Sequence, residues 1–223
     1  MSGIAAILMS LGSTAHKRFG FPIPCHEDSS CNINLQSEQA NIIKNSKTMF
    51  IDECSMMLCK LLDCLDRFLQ ELMDSSLPMG GKLVVLMGDF RQILPVVEGG
   101  SRAPVVHAAI KTSELWPQFT TLRLSKNMRV DRILQGTEDP ARRQDLEDHA
   151  KWLLRVGEGT LPTCHGDIIE LPDKMVKDTP EDLREAVHDN FASKYMNCDY
   201  LSRRAIMTCT NKIVNAENHD VLQ

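Results

Sequence analysis

Apolar residues occur along the chain in two different patterns, and each pattern predicts a different secondary-structure element. Between Met57 and Met73, leucine and phenylalanine recur at steps of three and four residues, the spacing of an amphipathic helix. The short apolar runs before Asp52 and before Gly88 instead predict buried strands. A further short helix is predicted before Gly12. The strongest patterns therefore give one long helix between two strands.

The remaining segments carry weaker signals, which still predict alternating strands and helices. In chain order the predictions are an irregular loop at 13–24, a helix at 105–116, a strand at 120–125, a linker that starts at 131 and enters a helix ending near Gly157, a strand at 203–210 and a helix at 211–222. Strands that alternate with helices indicate an α/β fold with a mainly parallel sheet.

Acidic residues follow both of the strong strands. Asp52 and Glu53 come after the first, and Gly88-Asp89 comes after the second. In parallel sheets, ligands bind beyond the carboxyl ends of the strands. We therefore expect all three carboxylates to lie at one edge of the sheet.

An apolar strand that ends in Asp-Glu is typical of nucleotide hydrolases. Asp52 would hold Mg²⁺, which prefers oxygen ligands and keeps part of its water shell. Glu53 would orient and deprotonate the water that attacks a γ-phosphate. A structural alternative stays open, because acids and small hydroxyls such as Ser55 are also favoured at the start of a helix.

The stretch GDFRQILPV places Gln92 shortly after the second strand. A neutral amide there can contact a γ-phosphate oxygen or the attacking water without the desolvation cost of a charge. Gly88 permits a tight turn, and Pro95 fixes the path of the chain that leaves it. A plain loop would explain the glycine and the proline, but it gives no reason for the Asp-x-x-Gln spacing.

Composition places the chain among ordinary globular proteins and excludes several classes. It has 223 residues, 43% hydrophobic and 25% charged, with no apolar run long enough to span a bilayer. Its eight cysteines are expected to be reduced, intracellular thiols, because no signal peptide is seen and a chain of this size can bury a core without disulfides. The absence of a C-x-x-C pair makes a zinc site the minor alternative. The net charge is −5, but residues 82–132 hold eight basic and four acidic side chains, so a basic groove stays open as an alternative.

Several ordered motifs together resemble one family. GDFRQILPV is similar to the third motif of the Pif-type (petite integration frequency) DNA helicases, a branch of superfamily 1 related to RecD, and especially to the helicases of Helitron-type transposons. The segments SGIAAILMSLGSTAHKRFGFPIP, IDECSMM, LSKNMR, WLLRVGEGTLP and RRAIMTCTNKIVNAEN resemble other family motifs in the same order. The resemblance implies a RecA-like P-loop NTPase core, with a partial first domain at 1–132 and the linker and beginning of a second at 133–223.

The resemblance also implies an activity. It indicates an ATP-dependent 5′→3′ helicase that acts on single-stranded and forked DNA in repair, recombination and telomere maintenance, in the nucleus or alternatively the mitochondrion. Its cofactors would be ATP and Mg²⁺, with the metal at Asp52 and nucleotide contacts that include Asp89. Glu53 would be the catalytic base, Gln92 the γ-phosphate sensor, and Arg129 the guanidinium that stabilises charge on the transferred phosphoryl group.

Four residues are implied to contact DNA. Thr14 and His16 would bind phosphate, and Phe19 would stack on a base. Asn211 would lie near DNA in the second domain.

The resemblance leaves two parts of the family pattern without a counterpart in the sequence, the phosphate-cradling loop and the later C-terminal motifs. The phosphate-cradling pattern G-x-x-x-x-G-K-[ST] is absent, and Gly81-Lys82 does not supply it because Leu83 follows and a strand begins there. Without that cradle most of the positioning for phosphoryl transfer is lost. We therefore expect the sequence to be a fragment that is not an active helicase by itself. The alternative function is a non-catalytic remnant that binds single-stranded DNA or another partner.

Overall fold

A computed structural model describes residues 3–166, 168–208 and 210–221 of the chain. The chain divides into two compact units, Met1–Thr160 and Leu161–Gln223. Among the described residues, no helix is both long and apolar enough to cross a membrane.

Unit 1 contains seven α-helices and two strands among its described residues, and unit 2 contains four α-helices. In unit 1 the order is α1 (Gly3–Leu8), α2 (Ala15–Phe19), α3 (Glu38–Asn45), β1 (Thr48–Ile51), α4 (Cys59–Met73), β2 (Leu83–Leu86), α5 (Arg102–Ala108), α6 (Met128–Gln135) and α7 (Pro140–Gly157). In unit 2 it is α8 (Pro180–Val187), α9 (Phe191–Lys194), α10 (Cys198–Ser202) and α11 (Asn211–Val221). The predicted long helix, the two strong strands and the last helix are thereby confirmed.

The two strands form a parallel pair. Thr48 lies opposite Leu83 and Ile51 lies opposite Leu86, in an unbroken register. Both strands end at the same edge because a parallel pair runs in one direction. The predicted meeting of the two strand ends is confirmed by this register.

The core of unit 1 forms around α4. Its leucines and Phe68 recur on one face and are almost completely buried, and Met57 just before the helix is fully buried. They share one cluster with Met49 and Ile51 of β1 and Val84 of β2. Burial of large side chains of this kind contributes roughly 1.5–3 kcal/mol each relative to exposure. The helical spacing of apolar residues in the sequence therefore predicts correctly which face of α4 packs in the core.

A helix replaces the loop predicted at 13–24. The Thr14 hydroxyl accepts from the Lys17 backbone N–H at the start of α2, and Gly20 ends α2 in the left-handed conformation with φ 60°. The loop prediction was wrong for Ala15–Phe19 because local capping groups stabilise a turn too short for a periodic pattern to show.

Two predicted strands are absent from the described residues. Residues 120–125 have no regular structure, and Leu122 and Leu124 are 88% and 97% exposed. Residues 203–208 and 210 likewise contain no strand, and Cys209 lies outside the described residues. An alternating pattern gives a segment one apolar side, but it does not provide partners for the backbone hydrogen bonds. A strand forms only when another strand lies beside it.

The helices after residue 101 also differ in part from their predictions. The helix predicted at 105–116 begins earlier, as α5, and ends at Ala108. The predicted linker from 131 is helical at its start, since Asp131 lies within α6. Asn127 caps that helix by accepting from the Val130 N–H at 3.2 Å. The cap at Asn127 thus stabilises a helix where the charge pattern had predicted an irregular linker.

The division into compact units falls later than the predicted domain limit. Unit 1 ends at Thr160, after α7, whereas the predicted limit after Arg132 lies within α6. Compactness does not assign a RecA-like domain, so the division into 1–132 and 133–223 stays a prediction.

Candidate functional site

The candidate site lies where β1 and β2 end. Beyond the paired strands, the Met87 N–H donates to the Ile51 carbonyl and the Cys54 N–H donates to the Met87 carbonyl, both at 2.8 Å. These two bonds bring the acidic turn after β1 beside the Gly88-Asp89 segment after β2. The edge therefore carries the carboxylates of Asp52 and Asp89 on adjacent segments.

The acidic turn holds an unusual backbone conformation. Glu53 has φ 56° and ψ 40°, in the left-handed region that non-glycine residues rarely occupy. Its N–H donates to Asp52 Oδ1 at 2.9 Å. Glu53 occupies the cap position of the short 3-10 turn Cys54–Met56, yet its side chain makes no capping hydrogen bond to that turn. This geometry disfavours the alternative in which Glu53 serves only to start a helix, and strained residues of this kind cluster at functional sites.

Gly88 lets the two segments approach closely. A Cβ at this position would lie 3.0 Å from both Cys54 Sγ and the Ser55 backbone nitrogen. Ser55 is completely buried beneath the edge, and its Oγ has no hydrogen-bond partner among the described residues. An unsatisfied buried hydroxyl costs free energy, so its presence two residues after Glu53 points to a functional edge and away from a purely structural one.

The loop after β2 is organised by Asp89 and Arg91. Asp89 Oδ1 accepts from both the backbone N–H and the Nε of Arg91, each at 3.0 Å. Hydrogen bonding to this guanidinium lowers the pKa of Asp89, which keeps its carboxylate ionised. The Gln92 N–H donates to the Asp89 carbonyl at 3.0 Å, which closes a turn and leaves the Gln92 side chain exposed.

Phe90 anchors this loop to the body of unit 1. Its ring packs edge-on against Trp116, with 5.7 Å between the ring centroids. The ammonium of Lys111 lies 3.8 Å from the centre of the same ring. Aromatic and cation–π contacts of this kind hold a loop that would otherwise depend on its turn alone. Gln92 is therefore presented from a fixed base.

Arg129 lies in the first turn of α6, and its side chain is exposed. Its role at a transferred phosphoryl group stays a prediction.

The residues predicted to face DNA are only partly accessible. Phe19 is 5% exposed and lies in the core, with its ring centroid 5.7 Å from that of Phe21. The prediction that Phe19 stacks on a base is therefore wrong, because α2 directs this ring inward. Thr14 and His16 remain half-buried at the surface, and the His16 ring packs edge-on against Phe21 at 5.6 Å. Burial lowers the pKa of His16, so its imidazole is neutral near pH 7.

Asn211 opens α11 in unit 2 and is exposed. Unit 2 contains an open cavity of about 300 Å³ that is lined in part by Val214 and Glu217 of the same helix. Asn211 does not line this cavity. Its predicted place near DNA stays a prediction.

Lys82 takes no part in a phosphate site. Its Nζ donates to the carbonyls of Lys44 and Ser46, each at 2.8 Å, and so satisfies the C-terminal end of α3. Leu83 then begins β2, whereas a phosphate-cradling lysine must open a helix. The rejection of Gly81-Lys82 as a phosphate loop is confirmed.

The family model described as "PIF1-like helicase" matches residues 1–167. The chain belongs to the PIF1-like helicase family. The predicted family is thereby confirmed, while the closer likeness to transposon helicases stays a prediction. A crystal structure of the Pif1 helicase from Bacteroides in complex with ADP-AlF3 and single-stranded DNA has a TM-score of 0.64 to this chain at 23% identity. That likeness covers 98% of this chain and 45% of the Bacteroides chain, and it confirms the RecA-like α/β helicase fold.

Two curated relatives are named as ATP-dependent DNA helicases. Pif1 of Bdellovibrio bacteriovorus is 31% identical over 137 residues, which are 58% of this chain and 29% of that protein. RRM3 of Saccharomyces cerevisiae is 31% identical over 135 residues, which are 57% of this chain and 18% of that protein. The chain thus spans less than a third of the length of either relative.

The donors at the edge fit a nucleotide-bound magnesium ion. Among the described residues, no group of three or more His, Cys, Asp or Glu side chains could hold a metal alone. Magnesium bound to nucleotides takes one or two protein carboxylates and completes its shell with phosphate oxygens and water. Asp52, which follows β1 directly, has one carboxylate oxygen, Oδ1, that accepts from the Glu53 N–H. Its predicted role as a magnesium ligand stays a prediction.

Sequence reasoning missed two features of the site. The first is the bond between Arg91 and Asp89, for which the Asp-x-Arg spacing was a usable signal. The second is the contact of Arg91 with Glu158, whose side chains lie 3.5 Å apart. No local pattern could reveal the second, because the two residues are far apart in sequence.

Proposed function

We propose that the chain carries the hydrolytic edge of an ATP-dependent DNA helicase of the PIF1-like family. The observation that carries the proposal is the parallel β1–β2 pair, whose ends are joined by the Met87–Ile51 and Cys54–Met87 backbone bonds. This pairing places an Asp-Glu turn and a Gln-bearing loop at one edge. Hydrolysis of a nucleoside triphosphate requires such a combination of acid, base and phosphate contact.

Each group has a definite role in the proposal. Asp52 would hold Mg²⁺, and the metal would neutralise phosphate charge when bound. Glu53 accepts the proton of the attacking water. Its left-handed backbone conformation sets the direction in which its side chain leaves the main chain. Gln92 contacts the γ-phosphate or the water from the loop that Asp89 closes. Arg129 stabilises the charge that develops on the transferred group.

The DNA side of the proposal rests on the family. We propose that single-stranded DNA contacts Thr14 and His16, that Asn211 lies near the strand, and that movement is 5′→3′ with forked DNA as substrate. The Bacteroides structure contains single-stranded DNA, which supports this substrate class. Repair, recombination and telomere maintenance in the nucleus, or alternatively the mitochondrion, are the processes proposed.

A second candidate function has its own support. The sequence contains no G-x-x-x-x-G-K-[ST] pattern, so its residues do not provide the usual backbone cradle for the β- and γ-phosphates. A chain without that cradle can still bind single-stranded DNA. The second candidate is therefore a DNA-binding protein without ATP turnover.

One experiment separates the two candidates. Unit 1, Met1–Thr160, replaces its counterpart in the Bdellovibrio helicase, and ATP hydrolysis by this chimera is measured with and without single-stranded DNA. The helicase proposal expects hydrolysis that rises when DNA is added, because the host protein supplies the remaining motifs. A folded chimera without turnover, together with DNA binding by the 223-residue chain, would support the second candidate instead.

His16→Ala is expected to weaken binding of single-stranded DNA about threefold to tenfold, the value of one hydrogen bond. The imidazole is neutral near pH 7, so it contributes a hydrogen bond and not a charge. The dependence of affinity on salt should therefore stay unchanged. Fluorescence anisotropy of a labelled oligothymidine, titrated at several salt concentrations, measures both quantities.

The matched control for this change is His26→Ala. His26 is exposed in the loop before α3 and should have no effect on DNA affinity. An equal loss in both variants, or an altered salt slope for His16→Ala alone, would contradict the proposed contact.

A further inference from the structure

The loop that carries Gln92 also contacts the far end of unit 1. Arg91 Nη1 lies 3.5 Å from Glu158 Oε1, directly after the last residue of α7. The Nε of the same guanidinium lies 3.0 Å from Asp89 Oδ1. One guanidinium therefore joins a carboxylate at the sheet edge to a carboxylate at the end of α7.

A close backbone fit accompanies this ion pair. Gly157 is the last residue of α7, and a Cβ added to it would lie 2.8 Å from Arg91 Cβ and 3.5 Å from the Arg91 carbonyl oxygen. Only a residue without a side chain allows α7 to approach the loop to this distance. The contact is thus shaped by the backbone as well as by charge.

The end of α7 leads directly out of unit 1. The Gly159 N–H donates to the Val156 carbonyl at 3.1 Å, and the Thr160 N–H donates to the Arg155 carbonyl at 2.9 Å. Thr160 is the last residue of the unit. The Arg91 contact therefore joins the sheet edge to the point where the chain leaves unit 1.

We propose that Arg91 is a positioning residue, which fixes Asp89 and couples the loop carrying Gln92 to residues 157–160 at the end of α7. The purpose of this coupling rests on the proposed function. It would transmit a change at the loop that carries Gln92 to the chain segment that enters unit 2. The side chains of Arg91 and Glu158 are 40% and 52% exposed. Exposed ion pairs are weak, so the link can open and close without unfolding the unit.

The coupling is tested on the 223-residue chain without nucleotide, by amide hydrogen exchange measured residue by residue with NMR. Glu158→Gln is expected to speed exchange at the Arg91 and Gln92 amides, which donate to Asp89. Asp89→Asn should in turn speed exchange at Gly159 and Thr160. Coupling is reciprocal, so both effects should be similar, about threefold for an exposed ion pair. Glu158→Asp, which keeps the carboxylate, should restore part of the protection.

Asp148→Asn is the matched control for charge. It removes another exposed ion pair of α7, the one between Asp148 and Lys151 at 3.4 Å, which has no contact with the loop. Exchange at the Arg91 and Gln92 amides should not change in this variant.

Gly157→Ala tests the backbone fit without changing any charge. Alanine favours a helix more than glycine does, so a helix effect alone would slow exchange at the end of α7. The clash with Arg91 predicts the opposite, with exchange about threefold faster at both the loop and Gly159. Gly136→Ala is its control, since a Cβ there meets its nearest atom at an ordinary 3.7 Å.

Two results would overturn the coupling. One is a Glu158→Gln effect confined to residues 157–160, and the other is faster exchange at the loop in the Asp148→Asn control. Because these measurements need neither nucleotide nor DNA, they stand even where the chimera shows no ATP turnover. Failure of the coupling and failure of the proposed function are therefore separate outcomes.

Discussion

Glu53→Gln is expected to lower DNA-stimulated ATP hydrolysis by the unit 1 chimera about 100-fold or more, the usual contribution of a general base. The amide of glutamine cannot accept the proton of the attacking water, whereas it keeps the size and most contacts of glutamate. Because Asp52 and the backbone of the turn are unchanged, nucleotide affinity should stay close to that of the parent chimera. Steady-state hydrolysis at saturating single-stranded DNA, fitted for kcat and KM, measures this separation.

The matched control is Glu71→Gln. Glu71 is exposed on α4, and its side chain makes no hydrogen bond or ion pair within the described part of the chain. The chimera with Glu71→Gln should hydrolyse ATP at the rate of the parent chimera. If Glu53→Gln retained more than about a tenth of the parent kcat, a general-base role of the usual size would be excluded.

Gly80→Ala is expected to lower the free energy of unfolding of unit 1 by about 3 kcal/mol or more. Gly80 adopts φ 60°, and a Cβ there would lie 2.3 Å from the Leu69 carbonyl oxygen and 2.8 Å from its carbon. Those atoms belong to the backbone of α4, so they cannot move aside without disturbing the core helix. Urea titration followed by tryptophan fluorescence measures the change, since Trp116 and Trp152 both lie in unit 1.

Gly99→Ala separates the clash from the backbone conformation. Gly99 has a similar φ of 66°, but no atom lies within 4 Å of its added Cβ. Its substitution should cost only the left-handed strain, about 1 kcal/mol. If Gly80→Ala and Gly99→Ala lowered the free energy of unfolding equally, the clash with α4 would not be the cause of the loss at Gly80.

The carboxyl edge could be predicted because its residues are close in sequence to the strands that carry them. Asp52 and Glu53 follow β1 directly, and Asp89 follows β2 within three residues. Once two strands run parallel, their ends must meet. The sequence therefore located the edge that carries these carboxylates, although the guanidinium that orders Asp89 was not foreseen.

For the residues predicted to face DNA, burial was harder to predict, because a short segment does not reveal which of its faces is buried. Phe19 and His16 lie within one helical turn, yet Phe19 belongs to the core and His16 is half-buried at its border. Phe21 packs beside both rings, so the difference arises from the rest of the core cluster, which includes Phe19 but not His16. A family resemblance assigns residues to a surface, but burial of each side chain depends on its neighbours.

The sequence by itself determined α4, the two strands and the acids at their ends. An amphipathic period and an apolar run are local properties, and a helix makes its hydrogen bonds within its own segment. The tertiary structure alone decided that residues 120–125 form no strand, that Lys82 caps α3 and that Arg91 reaches Glu158. Each of these depends on a partner distant in sequence, and only folding determines which distant groups lie within bonding distance.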